Sequence, residues 1–228
     1  YRAADDALLF ASELRALPRG EIDLDALEAF LAFNSIPAPL SIWQGTRKLP
    51  AGSLLVWEGE GEPGLERYAR PAPAPAAELR GEDENELAEE LRARLRDSVR
   101  AHLIADVPVG VLLSGGVDSG ALAALAALES GERVQTFSIG FDEGSFDELA
   151  DARKVAERYA TDHHELVVRP DAAELLPRLV AAFDEPFADS SALPTYLVSE
   201  LAARDVKVAL SGEGGDELFG GYYTYVAD

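Results

Sequence analysis

The 228-residue chain carries 20 Lys and Arg against 42 Asp and Glu, a formal net charge of −22, and no cysteine. A field of that sign repels a polyanion at long range, which disfavours non-specific nucleic-acid binding, and without cysteine these residues contain no disulfide, thiolate nucleophile or thiolate metal site. The composition, 47% hydrophobic and 27% charged, is that of a folded globular protein, and the longest apolar run, Ala121–Leu128, falls well short of the roughly 18 residues of a membrane span.

No charged and apolar leader opens the chain. With no Met anywhere, and Tyr1-Arg2 running into a strand-like Ala7–Ala11, a fragment of a longer cytoplasmic protein is expected. Next comes an amphipathic helix over Asp23–Phe33, with Leu24, Leu27, Phe30 and Leu31 at helical spacing and Asp23 as N-cap. Ser41–Trp43 and Ser53–Trp57 read as strands separated by Pro50 and Gly52. About 70 residues of this kind make a poor independent core, so they read as the end of a domain begun upstream. Arg70–Ala77, with proline at alternate positions, reads as an extended linker.

Beyond the linker the rhythm becomes strand then helix, which implies a parallel sheet covered on both faces. Helices are expected over Glu84–His102, after the glycine turn to about Glu129, and over Phe146–Tyr159, Ala172–Phe183 and Pro194–Arg204. Strands are expected at Val109–Leu113, Val134–Ile139, Glu165–Val168 and Val206–Leu210.

Two segments carry the chemistry. In Leu112-Leu113-Ser114-Gly115-Gly116-Val117-Asp118-Ser119 an apolar strand turns into a helix through two glycines. Glycine lets the backbone approach a ligand closely, and the helix N-terminus favours an anion. A carboxylate such as Asp118 suits a phosphate only through a bridging hard divalent cation. The Walker loop fails for want of a lysine, and G-x-G-x-x-G fails because Glu217 stands where the third glycine would be. A Gly-Gly pair is also what any tight strand-to-helix turn uses. The second segment, Leu210-Ser211-Gly212-Glu213-Gly214-Gly215-Asp216-Glu217-Leu218-Phe219-Gly220-Gly221-Tyr222, repeats this logic at another strand's end. Ligands of open α/β sheets bind outside such ends. If the two strands are neighbours, Asp118 and Asp216 share one cation.

Together the two segments resemble the ATP pyrophosphatases with an S-G-G-x-D-S loop and, among them, the asparagine synthetase family. Thr136–Phe141, Thr161–Glu165 and Phe183–Phe187 resemble further segments of that family in the expected order. Leu9–Leu14 and Lys48–Gly52 resemble the last part of its glutaminase domain.

The resemblance implies an α/β fold: a parallel-sheet ATP-pyrophosphatase (adenine nucleotide alpha hydrolase-like) domain over 81–228, after a linker at 71–80 and the C-terminal remnant of an Ntn-type glutaminase domain over 1–70. It implies amide formation with ATP and Mg²⁺, in which aspartate, or a related carboxylate, becomes an acyl-adenylate that glutamine-derived ammonia converts to the amide. Ser114, Gly115, Gly116, Asp118 and Ser119 would hold the pyrophosphate, and Asp118 and Asp216 the Mg²⁺. Leu112, Ile139, Ser211 and Gly212 would contact the adenosine. Glu213 would accept a proton from ammonia, with Tyr222 beside it.

The family commonly has a second serine where Gly120 stands. Its glutaminase nucleophile is an N-terminal cysteine, and a later lysine-bearing segment helps adenylation, so these residues alone are expected to be inactive. Small molecules are the expected partners, without nucleic acid or membrane, and a homodimer is left open.

Other residues have plainer readings. His163 and His164 lack ligand spacing and read as structural. Glu82-Asp83-Glu84 reads as a solvated helix start and Asp142-Glu143-Gly144 as a turn. Asp189-Ser190-Ser191 either touches the acceptor or caps the next helix. The competing functions are a different adenylating enzyme, such as one acting on tRNA, and a non-catalytic nucleotide-binding module. The net charge opposes the first, and three acidic positions beside glycine loops oppose the second.

Overall fold

The computed structural model describes residues 1–4, 6–69, 83–141, 148–168 and 172–225. The linker expected at 71–80, Glu82 of the acidic run, the turn Asp142-Glu143-Gly144 and the start of the helix expected from Phe146 lie outside them. By internal contacts the chain forms two units, Tyr1–Glu78 with Asp171–Leu193, and Leu79–Pro170 with Pro194–Asp228. No helix among the described residues is long and apolar enough to cross a membrane.

In the first unit, β1 (Arg2–Ala4) pairs antiparallel with β2 (Ala7–Leu9). Helix α1 (Leu24–Phe33) begins where expected: the Asp23 carboxylate accepts from the amides of Asp25 and Ala26 at 3.0 and 3.1 Å, satisfying donors that the first turn leaves unpaired. Ala26, Ile36 and Ile42 form its core, with Leu14, Phe30, Leu40 and Trp43 packed around them. Ser41–Trp43 is not a strand and makes only the bridge from Trp43 to Ile22. The buried Ser41 hydroxyl donates to the Thr46 carbonyl at 3.0 Å and curls the segment into a loop. β3 (Ser53–Val56) pairs with β4 (Gly64–Arg67), a strand without the alternation that would have marked it.

Asp171–Leu193 lies beyond the linker in sequence but packs with this unit. It contains α5 (Ala172–Phe183), which has the expected bounds. The Arg15 amide and Nε both donate to Asp184 Oδ2 at 3.1 Å, and Lys48 pairs with Glu185. Glu185 also accepts from the Ile42 amide at 3.3 Å.

The second unit opens with α2 (Glu84–His102), again with the expected bounds, and continues with β5 (Val109–Leu112), α3 (Val117–Glu129), β6 (Gln135–Phe141), α4 (Leu149–Tyr159), β7 (Asp162–Val168), α6 (Ala192–Ala202, mostly in this unit), β8 (Val208–Leu210) and α7 (Gly215–Phe219). The four strands form one parallel sheet in the order β7-β6-β5-β8. Side chains alternate across a strand, and the core divides accordingly. On one face Val111, Leu113 and Val134 meet Val99 of α2, Ala123 and Ala126 of α3, and Ala152 and Ala156 of α4. On the other, Phe137 packs on Leu201, Ala202 and Val206, with Leu112, Ile139, Leu166 and Val198 around it. Gly110 of β5 is small for a packing reason: a β-carbon there would lie 2.6 Å from Phe137 Cε2. At the end of α3, Glu129 accepts from Arg96 and Arg100 of α2, each at 2.6 Å.

β7 begins earlier than expected and includes both histidines. His163 Nδ1 shares a 2.8 Å hydrogen bond with Thr136 Oγ1, which in turn lies 2.8 Å from Thr161 Oγ1. His164 stacks on Phe137 with ring centroids 5.0 Å apart. These contacts give both rings a structural role.

Candidate functional site

The order β7-β6-β5-β8 puts β5 in the middle. The chain leaves it toward β6 and β7 and returns on its other side as β8, with Val111 opposite Leu210. The carboxyl ends of β5 and β8 are therefore neighbours, the arrangement in which open α/β sheets form a binding crevice. The two glycine turns follow from those ends, and a cleft of about 860 Å³ lies over them.

Its first wall is the turn from β5 into α3. Ser138 Oγ donates to the Leu113 carbonyl and fixes the end of β5. Ser119 is buried and turned back into the turn: its Oγ lies 2.8 Å from Ser114 Oγ, accepts from the Ser114 amide at 3.1 Å, and is within donating distance of the Ser114 carbonyl at 3.2 Å. Ser114 Oγ accepts from the Gly116 amide at 3.1 Å. The two serines thus brace the loop on each other. Gly115 stands apart, with its amide donating to Glu148 Oε2 at 3.3 Å and its Cα face closed by Glu148 and Asp151.

The second wall is the turn from β8 into α7, whose N-cap Gly214 has φ +92. Its contact with α3 leaves no room for side chains. A β-carbon on Gly215 would run into Asp118 Oδ2 and lie 2.6 Å from Asp118 Cγ, and one on Gly212 would lie 3.1 Å from the Ser119 amide nitrogen. The Asp118 carboxylate is in this way laid along the second glycine turn. Asp216 sits one residue further on, against Gly221, where a β-carbon would strike its Oδ1. Tyr222 OH donates to Glu217 Oε1 at 2.7 Å. That bond pushes the phenol up to about 12 and holds Glu217 below the usual carboxylate range.

Of the residues expected from sequence, Leu112, Ser114, Gly116, Asp118, Ser119, Ile139, Ser211, Gly212, Glu213, Asp216 and Tyr222 line this one cleft, and Gly115 borders it through its hydrogen bond to the lining residue Glu148. The cleft also includes Glu148 and Thr195, which sequence reasoning missed, and Glu217 and Phe219, which stand in the second segment without an expected site role. Glu217 was legible as the neighbour of Asp216. Glu148, 33 residues from Gly115, carried no local signal.

Five carboxylates, those of Asp118, Glu148, Glu213, Asp216 and Glu217, line the cleft, and among the described lining residues there is no Lys, Arg or His. Among the described residues no three acidic or imidazole groups converge closely enough to hold a metal by themselves. With no basic side chain among the described lining residues, an anionic ligand here would need a cation of its own. That donor set fits Mg²⁺, which keeps few protein ligands and completes its shell with phosphate oxygens and water.

Residues 90–228, which include both turns, match the model of the family described as asparagine synthase. The chain belongs to this family. It is 36% identical over 230 residues to asparagine synthetase [glutamine-hydrolyzing] 1 of Bacillus subtilis, covering 99% of this chain and 36% of that protein. Asparagine synthetase B [glutamine-hydrolyzing] of Escherichia coli is 34% identical over 210 residues, covering 84% of this chain and 36% of that one. The chain therefore spans about a third of the length of these relatives. Among solved structures, glutamine-dependent NAD+ synthetase from Acinetobacter baumannii in complex with ADP superposes with a TM-score of 0.42 at 26% identity, over 69% of this chain and 30% of that one.

Proposed function

We propose that the protein containing this chain forms asparagine from aspartate, ATP and ammonia, and that the cleft over β5 and β8 is its adenylation site. The observation that carries this reading is the junction of the two glycine turns at neighbouring strand ends, with Asp118 laid against Gly215, in a chain of the asparagine synthase family.

The aspartate side-chain carboxylate attacks the α-phosphorus of ATP. An acyl–O–P bond forms, the bond to the β-phosphate oxygen breaks, and pyrophosphate leaves. Ammonia then attacks the acyl carbon and expels AMP, while Glu213, whose residue lines the cleft, takes the proton it sheds. The N-terminus of α3, whose first residues Val117, Asp118 and Ser119 line the cleft, would meet the departing pyrophosphate, where fixed donors stabilise developing charge without reorganising. Leu112, Ile139, Ser211 and Gly212, all lining the cleft, would contact the adenosine, and Tyr222 would stand beside Glu213. Asp118 and Asp216 would hold a Mg²⁺ ion, which when bound neutralises charge on the phosphate oxygens.

Residues 1–70 are the end of a glutaminase domain, 71–80 its linker, and 81–228 the first part of the synthetase domain, with glutamine as the ammonia source of the whole cytoplasmic enzyme. The relatives named as glutamine-hydrolysing, which align along most of this chain, support that division.

The test is pyrophosphate release by the full-length protein with Mg–ATP and ammonia, with and without aspartate, and with Asp118→Asn alongside. Release that depends on aspartate and disappears in the variant is expected. Release indifferent to aspartate would move the acceptor to another carboxylate, and ATP turnover unaltered in the variant would remove the cleft from the reaction.

A further inference from the structure

Glu148 enters the cleft from outside both glycine turns. It is the residue before α4, its side chain lines the cleft, and its carboxylate accepts the Gly115 amide proton at 3.3 Å. Gly115 is fitted to it: a β-carbon on that glycine would lie 3.1 Å from Glu148 Cβ, from the Glu148 carbonyl oxygen and from Asp151 Cβ. Whereas the Ser114 and Gly116 amides bond to serine hydroxyls within the turn, the Gly115 amide bonds outside it, to a carboxylate whose residue lines the cleft.

We propose that Glu148 is a specificity residue that makes polyphosphate binding conditional on a bound divalent cation. The inference rests on the reading of the cleft as a polyphosphate site. One N–H cannot serve two anions at full strength, so a phosphate oxygen arriving at Gly115 must displace Glu148 or share its donor at close range. Two anions at such a distance repel strongly in a partly desolvated cleft, and four further carboxylates with no Lys, Arg or His among the described lining residues offer no relief. A polyphosphate that arrives with a divalent cation carries less charge, and that cation is drawn to Asp118 and Asp216. Glu148 then swings toward solvent at little cost. A free polyphosphate meets the full repulsion and is rejected, so the cleft selects the metal complex over the bare anion.

The probe is inorganic pyrophosphate, titrated calorimetrically into the full-length protein, once in EDTA and once in excess Mg²⁺. The proteins are wild type, Glu148→Gln, Glu148→Asp and Glu132→Gln, the last a carboxylate in the turn after α3 that does not line the cleft. Glu148→Gln is expected to bind metal-free pyrophosphate at least fivefold more tightly than wild type, while its affinity with Mg²⁺ stays within threefold. Glu148→Asp keeps the charge and should retain most of the discrimination against the metal-free anion. Glu132→Gln should show no gain. An unchanged metal-free affinity in Glu148→Gln, or a loss in both conditions, would overturn the inference, and so would Glu148→Asp matching Glu148→Gln, since the charge of the carboxylate would then not be what rejects the free anion. Absence of pyrophosphate binding by wild type even with Mg²⁺ would overturn the polyphosphate reading itself, an outcome distinct from the others.

Discussion

Replacing Gly215 with Ala tests whether the second glycine turn is there to seat Asp118. The backbone at Gly215 is not in the left-handed region, so alanine meets no conformational strain, and the residue opens α7, where alanine is tolerated. The new β-carbon would lie 2.6 Å from Asp118 Cγ and 3.2 Å from Asp118 Cβ. Carbon atoms in contact sit about 3.5–4.0 Å apart, so the carboxylate must retreat by about 1 Å. A displacement of that size at a reacting centre costs about 10²-fold in rate, equivalent to about 2.7 kcal/mol in the barrier. The expected result is about a hundredfold fall in kcat/KM for pyrophosphate release by the full-length protein with Mg–ATP, aspartate and ammonia, and a higher Mg²⁺ requirement. Two controls separate the causes. Gly131→Ala places its β-carbon in open space and should match wild type, whereas Gly214→Ala, at φ +92 with nothing within 4 Å, strains the backbone without touching Asp118 directly. If Gly215→Ala turns over within threefold of wild type, the close fit to Asp118 has no part in catalysis.

Three further outcomes follow from the packing. Gly120→Ala should stabilise the protein by about 0.5–1 kcal/mol, because alanine loses less freedom than glycine in a helix and its β-carbon would meet only Val155 Cγ2, at an ordinary 3.6 Å; the urea midpoint should rise at constant m. Phe137→Ala removes the largest fully buried side chain among the described residues and should cost about 3–5 kcal/mol, with amide exchange in β5 and β6 accelerating together. Burial holds the His163 imidazole below its ordinary 6.5, with Glu165 acting in the opposite sense and His164 and Arg153 adding to the lowering. The unfolded chain therefore binds the proton more readily, and stability should fall as pH drops from 6.5 toward the depressed value. His163→Gln should flatten that window. The acid loss below 4.5, where chiefly Arg153 holds Glu165 below its ordinary value, should persist but shrink, because His163 adds to that lowering. A wild-type stability that is level from 7 to 5 would contradict the buried neutral imidazole.

The helices were legible because their signals are local. Asp23 caps α1, α2 and α5 have the bounds that the apolar spacing indicates, and the alternation of strand and helix after the linker implied the parallel sheet. Two glycine-rich strand ends marked the site, since close backbone approach and a carboxylate for a cation are written in residue type. Ser41–Trp43 failed because three residues with strand-like side chains did not reveal the Ser41 hydroxyl bond that curls them. β4 was missed because its partner β3, not its own sequence, makes it a strand.

Sequence alone determined the two glycine turns with their acidic residues, the charge that disfavours a polyanion at long range, and the family, because all of these depend on identity and order along the chain. Tertiary structure decided what depends on distance between remote positions. It set β8 beside β5, laid Asp118 against Gly215 and packed Asp184 on Arg15. It also brought Glu148 to the Gly115 amide. A parallel sheet can be threaded in several strand orders with the same alternation of strand and helix. Only the buried packing of Val111, Phe137 and their partners on its two faces selects the order that brings the two turns together.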